Sequence, residues 1–135
     1  MVEEQRGRIK VEDTELVILK ELLRYLYTGM IGPDFRDYKK LMILANKYQI
    51  EELVDYTSNK ILETLTEDNA LELGIFGEMH NSTVLINATA KLIQENPSED
   101  ILPDGWEQQI KGSPRLLLAI VAALRKATIK RQELN

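Results

Sequence analysis

The sequence predicts an all-α protein, mainly helical hairpins, with one short strand near the N-terminus. Apolar residues recur at three- and four-residue spacing along most of the 135-residue chain, which is typical of amphipathic helices. Only 7 glycines and 4 prolines interrupt this pattern, so we expect short connections between the helices. Hydrophobic residues make up 44% of the chain, which is sufficient for a folded core.

The first two elements are expected to be a strand and a helix. Residues 8–11 alternate between polar and apolar types, as in a short strand, although no partner strand is visible in the chain. Leucines then follow at helical spacing within residues 13–27, with Asp13 as the candidate N-cap. Gly29 is expected to end this helix, because glycine adopts the left-handed backbone conformation without a Cβ clash.

Four more helices are predicted before residue 97. Asp34 is a candidate N-cap for the second helix, and the third is expected from Glu51. Thr66 is a candidate cap for the fourth helix, in which Gly74 is expected to allow another helix to approach closely. The fifth is expected from about Ser82 until Asn-Pro at 96–97 stops it.

The last helix is the most apolar element of the sequence. A short turn-rich piece begins at Gly-Trp, residues 105–106, and Ser113 and Pro114 then provide an N-cap and a first helical residue. The helix is apolar over more than half of its circumference and is expected to fray into a basic tail. It is therefore either deeply buried or a contact surface.

A faint internal repeat relates two helical corners that lie 32 residues apart. The pattern Ala-x-x-Tyr-x-x-x-x-Leu at 45–53 recurs as Gly-x-x-His-x-x-x-x-Leu at 77–85. Each copy predicts a helix, a tight corner and a second helix, the kind of unit that stacks on a neighbour.

The composition argues against catalysis and against metal binding. The absence of cysteine excludes disulfides, Cys-ligated metals and thiol chemistry, and the single histidine, His80, excludes multi-histidine sites. No phosphate-binding loop and no nucleophile motif is present. We therefore expect no enzymatic activity and no cofactor.

Charge and hydropathy argue against nucleic-acid and membrane partners. The net charge is −5, and the basic residues near both ends are not interleaved with aromatic residues. The longest apolar run, residues 116–124, is far shorter than the ~20 residues that span a bilayer. Without a targeting segment at the N-terminus, the protein is expected in the nucleus, the cytoplasm or both.

Four segments of the chain, in order, carry motifs of one known family. A leucine-rich helix ends in Tyr-Thr-Gly at 27–29, and the corner at 44–53 reads Leu-Ala-Asn-Lys-Tyr-Gln-Ile-Glu-Glu-Leu. These two segments resemble successive motifs of the BTB/POZ family. Residues 66–85 are similar to the helical pair called the 3-box, and Gly-Trp at 105–106 with Ser-Pro-Arg-Leu at 113–116 resembles the short BACK segment of speckle-type POZ proteins within that family.

The resemblance implies a division of the chain into three parts. Residues 1–65 would be the C-terminal half of a BTB/POZ domain, residues 66–127 a 3-box and short BACK-like region, and residues 128–135 a basic tail. The front half of the BTB domain is expected to be absent. The chain would then be a fragment, a truncated gene model or a degenerate paralogue.

The resemblance also implies a non-catalytic substrate adaptor of a cullin-3 ubiquitin ligase. Met1 and Glu3 match an apolar-x-Glu motif that inserts into the cullin N-terminal region in that family. Further cullin contacts are implied at the corner and in the 3-box, at Asn46, Tyr48, Gln49, Leu71 and Ile75. The last helix maps to a self-association surface, at Leu117, Val121 and Leu124, which would form a homo-oligomer.

Two alternatives stay open at this stage. The chain could be a free-standing helical scaffold that self-associates through its last helix and does not bind a cullin. An enzyme is the third hypothesis, and His80 would be its one candidate base.

Overall fold

The fold is all-α throughout the residues described by the computed structural model, namely 2–96 and 101–134, with side chains described from residue 15 onward. These residues contain seven α-helices, a 3₁₀ turn and no strand, so the predicted all-α class is confirmed. The helices are α1 (Val2–Thr28), α2 (Tyr38–Lys47), α3 (Glu51–Leu62), α4 (Ala70–Met79), α5 (Thr83–Glu95), α6 (Trp106–Gln109) and α7 (Pro114–Leu134), and the 3₁₀ turn is Ile110–Gly112.

The predicted strand at 8–11 is wrong, because these residues lie inside α1. A single strand without a partner leaves its backbone N–H and C=O groups unpaired, whereas a helix pairs them within the segment. Asp13 is consequently an interior helical residue and not an N-cap. At the other end, Gly29 has φ +72° and its amide donates to the carbonyl of Tyr25, which confirms the predicted helix stop.

Two of the predicted N-caps lie a few residues before the helix they were expected to start. Helix α2 begins after Asp37 and not after Asp34, and Asp37 makes no side-chain capping bond. Thr66 caps a turn instead of a helix. Its hydroxyl accepts from the amide of Asn69, whose side-chain oxygen accepts from the amide of Thr66, and α4 starts one residue later. These two reciprocal hydrogen bonds satisfy the backbone amides of Thr66 and Asn69 within the connection itself.

The chain divides into two compact units, Met1–Thr57 and Ser58–Asn135. In the first unit α1 packs against α2, and the buried side chains include Ile18 and Leu22 from α1 with Leu41 and Met42 from α2. The Glu21 carboxylate accepts from the backbone amide of Gly32, which ties α1 to the loop before α2.

In the second unit α5 packs against both α4 and α7. A Cβ atom at Gly74 would lie 2.9 Å from side-chain atoms of both Leu116 and Thr89, so the helices approach closely at this glycine, as the sequence predicts. The buried Thr89 hydroxyl donates to the carbonyl of Ala70, which satisfies it within the core. The apolar core consists of Leu71, Ile86, Ile93, Ile101, Ile110, Leu116 and Ile120.

Helix α7 starts where the sequence predicts but is longer than expected. The Glu78 carboxylate of α4 accepts from the amide of Leu116 at 2.6 Å, which satisfies one free N–H group of the first turn. The helix continues to Leu134 through the basic residues that were expected to fray. Lysine and arginine have high helix propensity, and positive charge in the last turn complements the helix dipole.

Candidate protein-interaction surfaces

The corner between α2 and α3 is a tight C-terminal turn that places two side chains in solvent. The Ile50 amide donates to the Ala45 carbonyl at 2.9 Å, and the Gln49 amide donates to the Asn46 carbonyl at 3.0 Å. Gln49 itself has φ +57°, a backbone conformation that costs a residue with a Cβ atom about 1–2 kcal/mol. Tyr48 and Gln49 are both exposed.

Charges of both signs surround this corner. The Lys47 ammonium lies 5.7 Å from the centroid of the Tyr48 ring, within the range of a cation–π contact. Glu51 and Glu52 follow in the first turn of α3, where they complement the helix dipole. Burial, and secondarily the negative charge of Glu52, raises the pKa of the Tyr25 phenol. Three of the predicted site residues lie together here: Asn46, half-buried, with Tyr48 and Gln49. We call these three residues the corner surface.

The corner between α4 and α5 repeats the same backbone path. Asn81 has φ +60°, and the Ser82 amide donates to the Gly77 carbonyl at 2.7 Å. The buried Ser82 hydroxyl accepts from the Leu85 amide at 3.1 Å and lies 2.5 Å from the Ser58 hydroxyl. Ser82 is therefore the N-cap of α5, one residue before the first helical residue.

Helix α4 presents an apolar outer face next to this second corner. Ile75 and Phe76 are half-buried, Met79 is exposed, and the His80 ring lies 4.6 Å from the Phe76 ring, between centroids. Burial lowers the pKa of the His80 imidazole, which favours its neutral form. We call Ile75, Phe76, Met79 and His80 the α4 face.

The structure separates the two 3-box residues that were predicted to bind a cullin. Leu71 is buried in the core of the second unit, whereas Ile75 packs at the edge of that core and is half-exposed. Phe76 and Met79 were missed by the sequence reasoning. The available signal was the position of Met79, four residues after Ile75 and three after Phe76, because residues at these spacings are neighbours on a helix surface.

The predicted N-terminal motif lies outside the described part of the chain. Met1 is not among the described residues. Glu3 falls in α1, but its side chain is not among those described. The contacts proposed for Met1 and Glu3 stay predictions.

The three residues predicted for self-association follow one another along one side of α7, at intervals of four and three, but differ in exposure. Leu117 and Val121 are exposed, and so is Leu118, which the prediction did not include. Leu124 is half-buried and faces a cavity of about 760 Å³, together with Ile93, Ile101, Leu102, Trp106 and Arg131. In the N-terminal half of α7, the exposed large apolar residues are therefore Leu117, Leu118 and Val121, while Ile129 and Leu134 are exposed nearer its end.

The described residues were also searched for groups that could bind a metal ion and for helices that could span a membrane. No group of three or more His, Cys, Asp or Glu side chains in this part of the chain is arranged to hold a metal ion. Among the same residues, no helix combines the length and the apolar content that crossing a bilayer requires.

Comparison with known proteins assigns the first part of the chain. Residues 1–65 match the sequence profile of the BTB/POZ domain. Protein maternal effect lethal 26 of Caenorhabditis elegans is 27% identical over 123 residues, which cover 90% of this chain and 31% of that protein. Two BTB/POZ domain-containing proteins of Arabidopsis thaliana are each 28% identical, over 123 and 110 residues. Those alignments cover 91% and 82% of this chain and 51% and 53% of the two proteins.

The chain spans between about a third and about half of the length of these relatives. The matched profile confirms the BTB/POZ resemblance, while the closer likeness to speckle-type POZ proteins stays a prediction. A BTB/POZ domain is a protein-interaction module that also supports self-association. Residues 1–65, a little under half of the chain, are thus similar to the BTB/POZ domain family.

Proposed function

We propose that the chain is a non-catalytic adaptor module that binds the N-terminal region of cullin-3. The corner surface in the first unit and the α4 face in the second unit are the proposed contacts. Met1 and Glu3 are proposed as a third. The motifs found in order along the chain imply cullin binding. The match of residues 1–65 to the BTB/POZ domain supports the assignment of the first two of these motifs.

The observation that carries the proposal is the geometry of the corner surface. Tyr48 is 54% exposed and lies beside Gln49, a non-glycine residue held at φ +57°. Tyrosine is enriched among residues that dominate binding energy, because it buries a large ring and retains a polar hydroxyl. A strained backbone position beside it is typical of sites where the local conformation serves a function.

The α4 face supports the proposal independently. Met79 is 67% exposed, although a methionine side chain is mostly apolar, and it lies one turn from Ile75. Flexible methionine surfaces adapt to the side chains of a partner. The face therefore fits an apolar segment better than a charged one.

The first test is the affinity of the purified chain for the cullin-3 N-terminal region, measured by isothermal calorimetry. Tyr48→Ala is expected to weaken binding by about 10-fold or more, as for an interface hot spot. Tyr27→Ala is the matched control, because Tyr27 is 87% exposed and lies in the same BTB/POZ segment. Equal affinities for the two variants would contradict a contact at the corner surface.

The second test separates the other two contacts. Ile75→Lys and Glu3→Lys are each expected to weaken binding. Leu118→Lys is the control for Ile75→Lys, because Leu118 is an exposed apolar residue on another helix of the same unit. Circular dichroism of each variant shows whether its helices are retained. Indifference of binding to both Ile75→Lys and Glu3→Lys would remove these residues from the site.

A second candidate function is self-association through α7. The observation in its favour is the exposed apolar group Leu117, Leu118 and Val121 on one long helix. Static light scattering after size exclusion measures the mass of the particle. Val121→Lys is expected to lower that mass if α7 forms the contact, and an unchanged oligomer would count against it.

A further inference from the structure

The cavity beside Leu124 in the second unit plays no part in the proposed function. It lies between α5, the turn at 103–106 and α7, and its volume of about 760 Å³ is typical of pockets that hold small molecules. Its apolar lining includes the buried Ile93 and Ile101 and the half-buried Leu102 and Leu124. We call it the Trp106 cavity, after the aromatic residue that also lines it.

Trp106 is held in this cavity by a tight turn. Gly105 has φ +77°, a conformation that favours glycine, and the Trp106 amide donates to the Pro103 carbonyl at 3.1 Å. The half-buried indole packs against the apolar core of the second unit. A ring that is already fixed presents a large apolar surface and loses little entropy when a ligand packs against it.

Arg131 supplies the cavity with a cation that the protein itself engages only weakly. Its Nε and Nη2 groups donate to the Ala127 carbonyl and the Thr128 hydroxyl, both at the long distance of 3.4 Å. Among the described side chains, no carboxylate forms an ion pair with this guanidinium. A guanidinium has more N–H donors than these two bonds use, and its planar shape matches the two oxygens of a carboxylate.

Two carboxylates limit the total charge that the cavity can accept. Asp104 and Glu107 also line it, and both are exposed. Their negative charge disfavours a phosphate ester or a dicarboxylate, because like charges brought together on binding repel one another. A cationic ligand would be attracted by these two side chains but would also meet Arg131. A single carboxylate directed at Arg131 fits the three charges best.

We propose that the Trp106 cavity binds a small monocarboxylic acid with an apolar body, either aromatic or branched aliphatic. The carboxylate accepts N–H bonds from Arg131, and the body packs between Trp106 and Leu124. A ligand of about ten non-hydrogen atoms at ordinary efficiency would have a dissociation constant on the order of 0.1–1 mM. This site is independent of the proposed cullin contacts.

The fluorescence of Trp106 measures binding directly, because it is the single tryptophan of the chain and lines the cavity. The probe is phenylbutyrate, compared with the uncharged phenylbutanol and the cationic phenylbutylammonium. We expect a saturable blue shift of the emission with phenylbutyrate and weaker binding of both analogues. Binding of the ammonium compound as tight as that of the acid would overturn the proposal. So would the lack of saturable binding of the acid up to roughly 10 mM.

Arg131→Gln tests the group that is proposed to hold the acid. It is expected to weaken the binding of phenylbutyrate roughly tenfold or more, without changing the affinity for phenylbutanol. Arg125→Gln is the matched control, because Arg125 is also an exposed arginine of α7 but does not line the cavity. Its affinity for the acid is expected to stay within about twofold of that of the unchanged chain. Equal losses in the two variants would indicate unspecific charge attraction and overturn the proposal.

Discussion

The two helical corners of the chain follow the same backbone path by different means. In both, a non-glycine residue has φ near +60°, namely Gln49 at +57° and Asn81 at +60°. In both, the next amide donates to a carbonyl five residues earlier. The second corner is built from residues that favour this path, because asparagine tolerates the left-handed region and Ser82 caps the following helix. The first corner has glutamine and isoleucine at the same positions.

The second corner is constrained by close packing in its core, whereas the first corner contains a backbone conformation that its residue type does not favour. Gly77 is required in the second corner, since a Cβ atom there would lie 2.6 Å from the Cβ of Leu85. The equivalent residue of the first corner, Ala45, carries its Cβ while fully buried. The strained Gln49 lies beside the exposed Tyr48. The first corner is thus the better candidate for partner binding, because its residue types favour the observed backbone conformation less than those of the second corner do.

Gly77→Ala is expected to have the largest effect on stability. The added methyl group would force Leu85 or the Ser82 carbonyl to move, at a cost of about 3 kcal/mol in the free energy of unfolding. Urea unfolding followed by fluorescence of Trp106, the single tryptophan of the chain, measures this change in the second unit. Ala45→Gly, the matching exchange in the first corner, is expected to cost only about 1 kcal/mol, measured by circular dichroism. Similar costs would show that the corners are packed alike.

Ser82→Ala is expected to cost about 2 kcal/mol. The change removes the N-cap bond to the Leu85 amide and leaves the buried Ser58 hydroxyl without this partner. The same urea titration measures it. In the double variant with Ser58→Ala, the loss is expected to be smaller than the sum of the two single losses. Additive losses would argue against the serine pair.

Gln49→Gly is expected to stabilise the protein by about 1 kcal/mol. Glycine adopts positive φ without a Cβ clash, and this gain exceeds the added entropy of the unfolded chain. Asn81→Gly is the comparison, with an expected gain of only a few tenths of a kcal/mol, since asparagine already tolerates the conformation. Thermal unfolding of both variants measures the difference. A loss of stability in Gln49→Gly would mean that its side chain makes a contact that outweighs the strain.

The smallest expected effect is a pH dependence from His80. Burial holds the pKa of this imidazole below its ordinary value of 6.5, so below that pH the unfolded chain binds more protons than the folded one. Stability is therefore expected to fall as the pH decreases from about 6.5 toward the pKa of the folded state. Well above pH 6.5, this group is expected to have no effect on stability. His80→Gln is expected to remove this dependence, since the chain has no other histidine. A slope that persists in His80→Gln would have to come from another group.

The sequence could predict the helices and most of their ends, because those depend on neighbours in the chain. Helical spacing, the glycine at position 29 and the serine at position 82 act within one turn. The strand at 8–11 could not be judged this way, because a strand depends on a partner that is remote in sequence. For the candidate site, the motif at 44–53 predicted that the three residues of the corner surface lie together. Spacing alone did not show that Leu71 is buried while Met79 is exposed.

The sequence by itself determined the all-α class, the repeated corner and the resemblance of residues 1–65 to the BTB/POZ domain. These features reside in local spacing and in ordered motifs, both of which can be read along the chain. Only the tertiary structure decided which apolar residues are covered. The exposed leucines of α1 and the exposed apolar residues of α7 are of the same residue types as the core. What distinguishes them from the core is that other helices pack against only one side of α1 and of α7.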